Sequence, residues 1–319
     1  MKLVVLERNT VGTDIDVSSF GQFGEVTYYK NTVKSEVQSH VGDADIIIAN
    51  KAPINEETIE NCPNVKLVCE FATGFDNVDL DYCRRRNIAV TNVVDYCTDS
   101  VAQHTFAMAL FLFEKLHYYD NYVKSGAYGA QDKFSNFDRR FGELCGKTWG
   151  IIGLGNIGKK VASIAKAFGC RVIYYSVTGK NACTDYENVS FDALLRESDV
   201  LSIHCPLSNL TKNLIDKEAL CKMKPSALLI NVARGAVVNN VDLAKALKEN
   251  VIAGAGLDVL DGEPIRDDNP LNDIKDSEKL IITPHMAWGS VEARTRIVKA
   301  ACENIRAFLN GEIQNRVDL

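Results

Sequence analysis

The stretch Trp149-Gly150-Ile151-Ile152-Gly153-Leu154-Gly155-Asn156-Ile157-Gly158 passes from an apolar run into G-x-G-x-x-G and then into a helical pattern, so it reads as strand, tight turn and helix. Gly153 permits the turn, Gly155 lets backbone amides come close to an anion, and Gly158 lets the helix pack tightly on its strand. Asn156 and Ile157 stand where the helix opens, and its first N–H groups, unpaired within the helix and at the positive end of its dipole, face that anion. Three glycines at this spacing also occur in ordinary strand-to-helix loops, so the flanks decide. Residues 147–152 have strand character, Val161, Ile164, Ala165 and Phe168 recur at helical spacing, and Arg171-Val172-Ile173-Tyr174-Tyr175 gives a second strand where a βαβ unit needs one. The expected ligand is the pyrophosphate of a dinucleotide.

The same alternation extends both ways. Before the turn, 45–49, 66–71 and 88–92 read as strands and 56–61 and 79–86 as helices. A long amphipathic segment, 99–122, reads as a connecting helix, and 124–143 is polar, aromatic and irregular, as suits a contact between domains or subunits. After the turn, 171–175, 200–204, 227–231, 252–259 and 280–283 read as strands, with helices at 191–197, 216–222, 240–249 and finally 290–310. The fold class is α/β with two doubly wound parallel-sheet domains. A length of 319 residues with 46% hydrophobic residues is enough to give each domain a core.

A net charge of −6 without a basic run disfavours a nucleic-acid partner. No apolar stretch suits a bilayer span, and the first residues, Met1-Lys2-Leu3-Val4-Val5-Leu6-Glu7, open into a strand rather than a secretory signal, so a cytoplasmic protein is expected. The ten cysteines are dispersed with no C-x-x-C pair, which fits reduced thiols, and the five histidines stand apart, so no metal is expected.

Three segments follow strand ends, where open α/β sheets bind ligands: Asn231-Val232-Ala233-Arg234-Gly235, Asp258-Val259-Leu260-Asp261-Gly262-Glu263-Pro264 and Thr283-Pro284-His285-Met286-Ala287-Trp288. They bring a cation, a carboxylate and an imidazole. A guanidinium forks onto a substrate carboxylate, an imidazolium gives a proton to a developing alkoxide, and a carboxylate holds that ring charged and oriented. Singly, Arg234 reads as a surface ion-pair residue, Glu263 as a solvated loop acid and His285 as a residue before the last helix. Together, beside a dinucleotide turn, they read as a site for carbonyl reduction.

On these residues the chain resembles the D-isomer-specific 2-hydroxyacid dehydrogenases along nearly its whole length. Gly153-Leu154-Gly155-Asn156-Ile157-Gly158, His204-Cys205-Pro206-Leu207, Asn231-Val232-Ala233-Arg234-Gly235, Gly256-Leu257-Asp258-Val259, Glu263-Pro264 and Thr283-Pro284-His285 stand in the family's order. The resemblance implies that Arg234 binds the substrate's carboxylate and carbonyl, that His285 is proton donor and acceptor, and that Glu263 pairs with it, favouring the imidazolium. It also implies a Rossmann dinucleotide-binding domain, 98–284, inserted in a flavodoxin-like substrate domain made of 1–97 and 285–319. Phe71-Ala72-Thr73-Gly74-Phe75-Asp76-Asn77-Val78-Asp79 is similar to the family's substrate loop, in which amides near Thr73 and Gly74 meet the carboxylate. By the same resemblance Cys205, Pro206, Thr211 and Ala233 line the cofactor cleft, Asp258 bonds the nicotinamide carboxamide, and Trp288 walls the substrate pocket. Residues 72–75, 100–105 and 285–288 look most like glycerate dehydrogenases, also called hydroxypyruvate reductases.

Where the NAD-type pattern sets an acid on the adenosine ribose, this chain has Ser176, which hydrogen-bonds either cofactor form, and Lys180 would attract a 2′-phosphate. No arginine follows as a phosphate clamp, so NAD is expected with NADP left open. The expected activity is reduction of hydroxypyruvate or glyoxylate by a homodimer joined through the connecting helix and 120–145. The alternatives are a reductase of a bulkier 2-oxo acid and a corepressor-like module that senses NAD(H).

Overall fold

Two sheets are built with every pair of neighbouring strands parallel, their inner strands being short, buried, mainly aliphatic runs. The computed structural model describes residues 1–179 and 183–319, which divide into a unit of Met1–Cys97 with Gly289–Leu319 and a unit of Thr98–Trp288.

In the first unit β1 (Lys2–Val5), β2 (Glu25–Tyr28), β3 (Ile46–Ala49), β4 (Leu67–Glu70) and β5 (Ala89–Thr91) lie in the order β2-β1-β3-β4-β5. The helix Val291–Leu309 packs on β4. Ser290 caps it by accepting from the Ala293 amide, and Ala293, Ile297, Val298, Ala301, Cys302 and Ile305 form its buried stripe at helical spacing. The residues after it are stitched to β5: Val317 N donates to Val90 O, and the Asp318 carboxylate accepts from Val90 N while pairing with Arg316.

In the second unit β6 (Thr148–Ile152), β7 (Arg171–Tyr175), β8 (Glu187–Asn188), β9 (Val200–Ile203), β10 (Leu228–Asn231), β11 (Gly254–Leu257) and β12 (Leu280–Ile282) lie in the order β12-β11-β10-β9-β6-β7-β8. The chain order reverses between β6 and β9, and the crevice beyond their carboxyl ends is the switch point of a doubly wound sheet. Trp149 of β6 is fully buried, donates its indole N–H to Ser202 Oγ on β9 at 2.9 Å, and stacks on Phe106 with ring centroids 4.4 Å apart. That contact fastens the helix Thr98–Phe113 to the sheet.

Two expectations need correction. The segment 99–122 is two helices, Thr98–Phe113 and Leu116–Lys124, because Lys115 takes a left-handed conformation (φ 55°) once the buried apolar run ends, and the second helix buries no residue. The return to the first unit falls at Trp288/Gly289, not 284/285, because the Met286 and Ala287 amides are tied to Asp258 of the second unit. No helix of the described residues is long and apolar enough to cross a membrane.

Candidate active site

At the carboxyl end of β6, Gly153 has φ +91°, and a Cβ there would lie 2.9 Å from the backbone N of Cys205, which follows β9. The turn therefore holds the two strand ends together at the switch point. Gly155 is the N-cap of the helix Asn156–Ala167 and brings no side chain; a Cβ at this position would meet nothing within 4 Å. At Gly158 a Cβ would run into the Gly153 carbonyl, so the helix starts directly against the turn. Open space before a helix N-terminus, with glycine on both sides of the approach, fits a pyrophosphate.

The three chemically distinct side chains follow three adjacent strands: Arg234 after β10, Glu263 after β11, His285 after β12. His285 Nδ1 lies 2.7 Å from Glu263 Oε2, and Glu263 Oε1 accepts from the Leu260 amide at 2.9 Å. A carboxylate on Nδ1 makes that nitrogen the proton-bearing one and directs chemistry to Nε2. The Arg234 turn is braced by Asn231, whose side chain accepts from Ala233 N and donates to Arg234 O, while the guanidinium donates to Ala233 O. Gly235 brings this turn against the loop that carries Glu263, since a Cβ there would overlap the Leu260 carbonyl.

Asp258 organises the histidine turn. Its buried carboxylate accepts from Thr283 Oγ1 (2.6 Å), Met286 N (2.8 Å) and Ala287 N (2.8 Å), and its own carbonyl accepts from His285 N (2.8 Å). These bonds hold His285 at φ 53°, a conformation that costs a non-glycine residue energy unless its surroundings impose it. Thr283 Oγ1 spends its hydrogen on Asp258, so it accepts from His104 Nε2 at 2.9 Å. Elsewhere, His40 bonds Thr32 and stacks on Tyr29, His117 bonds Asn121, and His204 bonds Ser202. Burial of the His204 ring pushes it down to about 3, so it is neutral and no proton donor at ordinary pH.

Residues 106–287 match the D-isomer specific 2-hydroxyacid dehydrogenase, NAD binding domain. A hydroxypyruvate reductase of Blautia hydrogenotrophica is 37% identical over 325 residues, covering all of both chains. The chain belongs to the D-isomer specific 2-hydroxyacid dehydrogenases. A glycerate dehydrogenase of Methylorubrum extorquens is 36% identical to this dehydrogenase over 99% of each chain. A D-lactate dehydrogenase from Aquifex aeolicus, solved in complex with NAD and lactic acid, superimposes with a TM-score of 0.87 at 29% identity, over 100% of this chain and 99% of that one.

Within this dehydrogenase the remaining sequence-derived positions fall in several places. Cys205 and Pro206 stand beside the glycine turn, and burial pushes the Cys205 thiol up to about 11. Thr211 is buried, donates to Pro206 O and accepts from Ser208 N, so it shapes the 206–211 loop. Ser176 follows β7 in a turn closed by Gly179 N. Lys180 lies outside the described residues. Thr73 and Gly74 follow β4 in the first unit, where Thr73 Oγ1 donates to Val93 O and Asn92 donates to Thr73 O. Trp288 ends the second unit. His104 was not legible as a site support, because its partner Thr283 is 179 residues away and is brought to it by chain topology.

Proposed function

We propose that this dehydrogenase reduces a small 2-oxo acid, hydroxypyruvate or glyoxylate, to the D-2-hydroxy acid. The observation that carries the reading is the 2.7 Å contact of His285 with Glu263, one strand end away from Arg234. The full-length relatives named for hydroxypyruvate and glycerate support the substrate size. When bound, the nicotinamide supplies the hydride. Arg234 forks onto the substrate carboxylate and carbonyl. His285 delivers its Nε2 proton to the carbonyl oxygen as charge develops there, and Glu263 keeps the ring oriented. Gly153, Gly155, Asn156, Ile157 and Gly158 hold the pyrophosphate, with Cys205, Pro206 and Ala233 along the same cleft. Asp258 has an acceptor position left on Oδ2 for the nicotinamide carboxamide. Trp288 walls the pocket. The Thr73 and Gly74 amides are assigned to the carboxylate on the family resemblance of 71–79.

The lack of an arginine after Ser176 to clamp a 2′-phosphate supports NAD over NADP. Large apolar side chains left exposed in 116–141, with Phe134 91% and Phe137 79% exposed, support a homodimer through this segment. All ten cysteines are free, which supports a cytoplasmic setting.

The test is a panel of 2-oxo acids assayed with NADH and with NADPH. Highest kcat/KM on hydroxypyruvate or glyoxylate with NADH is expected; a preference for branched or aryl acids overturns the substrate assignment, and absence of turnover on every acid overturns the enzyme reading. Glu263→Gln should lower kcat/KM by about 10- to 100-fold, because a neutral amide keeps a hydrogen bond to Nδ1 but loses the charge that supports the imidazolium.

A further inference from the structure

Glu70, the last residue of β4, is fully buried in the interior of an all-parallel sheet. A carboxyl group in such a place is costly unless neutral or well bonded. One bond is present: Asn77 Nδ2 donates to Glu70 Oε1 at 2.8 Å and also to Ala52 O at 3.0 Å. Oε2 is sealed from solvent and has no hydrogen-bond partner among the described residues. The segment between Glu70 and Asn77 is the loop assigned above to the substrate carboxylate. It is pinned at its near end by Asn92 and Val93 on Thr73, and at its far end by Glu70, Ala52 and the Ile54 amide on Asn77.

We propose that Glu70 is a positioning residue for substrate binding, its buried carboxyl fixing Asn77 and through it the backbone that presents the Thr73 and Gly74 amides. The inference rests on the reading of 71–79 as the substrate loop. Burial is the main cause that pushes the Glu70 carboxyl up to about 8, which favours its neutral form near neutral pH while Oε1 accepts from Asn77. Glu7 beyond β1 and Asp76 in the loop push in the same direction, whereas Lys51 beyond β3 and the Asn77 bond oppose it. β5 brings no charged residue, and the charged residues of Val291–Leu309 are engaged elsewhere or exposed: Arg294 with Asp14, Arg296 with Tyr96 O, Lys299 with Glu303, Arg306 with Gln22, Glu292 at the surface. Above about 8 the ionised carboxylate has a single donor, and the buried charge draws water or shifts Asn77, loosening the loop.

The experiment measures KM and kcat for hydroxypyruvate with NADH from neutral to alkaline pH in wild type, Glu70→Gln, Glu70→Ala and Gly74→Ala. Glu70→Gln should match the wild-type KM at neutral pH, and the wild-type KM should rise relative to it by up to about tenfold per pH unit beyond the titration of the acid. Glu70→Ala should raise KM at every pH. Folding retains a proton that the unfolded chain has released between the ordinary carboxylate range and about 8, so wild-type thermal stability should fall across that window and Glu70→Gln should not. A wild-type to Glu70→Gln KM ratio that stays constant with pH overturns the inference. Gly74→Ala separates the two readings: a raised KM with a constant ratio sinks the role of Glu70 alone, and an unchanged KM sinks the substrate-loop reading. Should Glu70→Gln not fold, carboxyl ¹³C NMR of the wild-type protein decides, since a glutamate titrating near 8 and perturbed by oxamate supports the proposal and its absence overturns it.

Discussion

His285→Gln is expected to lower kcat for 2-oxo acid reduction by about 10²- to 10⁴-fold, the range spanned by positioned general acids, with NADH affinity unchanged. The amide has no proton to give to the developing alkoxide, and it is not held by Glu263 as an imidazolium. The glycine turn lies at the ends of β6 and β9, while His285 lies at the end of β12, at the far edge of the same sheet, so removing the ring leaves the pyrophosphate cradle intact. Stopped-flow reduction together with NADH titration by fluorescence separates the two effects. Loss of NADH binding in proportion to loss of rate would refute a purely chemical role for the ring. The clamp around it makes a further distinction: the turn is held by main-chain amides on Asp258, so the backbone conformation should survive the side-chain change.

Arg234→Ala should reduce kcat/KM by about 10³-fold, with KM carrying a large share, because two charge-assisted bonds to the carboxylate and carbonyl are lost together. Arg234→Lys should recover only part of this, since an ammonium keeps the charge but not the planar fork. Oxamate inhibition offers a check without turnover: its Ki should rise in step with KM. Equal KM values in wild type and Arg234→Ala would remove the guanidinium from the site.

Much of this was legible in the sequence, for identifiable reasons. Strands of a sheet covered on both faces are continuous apolar runs, so Ile46–Ala49, Leu67–Glu70 and Val200–Ile203 stand out. The edge strands Glu25–Tyr28 and Glu187–Asn188 escape notice because their exposed side chains show no such run. The break at Lys115 lacked a glycine or proline to mark it. Of the candidate site, Arg234, Glu263 and His285 stand out because each lies within a few residues of a strand end and matches a family block. Glu70 was visible only as part of a strand, and its meaning depends on burial and on Asn77, neither of which a pattern of residues contains.

The division of the chain has a consequence for biosynthesis. Thr98–Trp288 is continuous in the chain, whereas the unit begun by Met1–Cys97 lacks the helix that covers β4 and the residues that stitch β5 until Gly289–Leu319 has been translated. The sheet made first is therefore the last to be finished, its β4 face and β5 edge covered only once 289–319 follows.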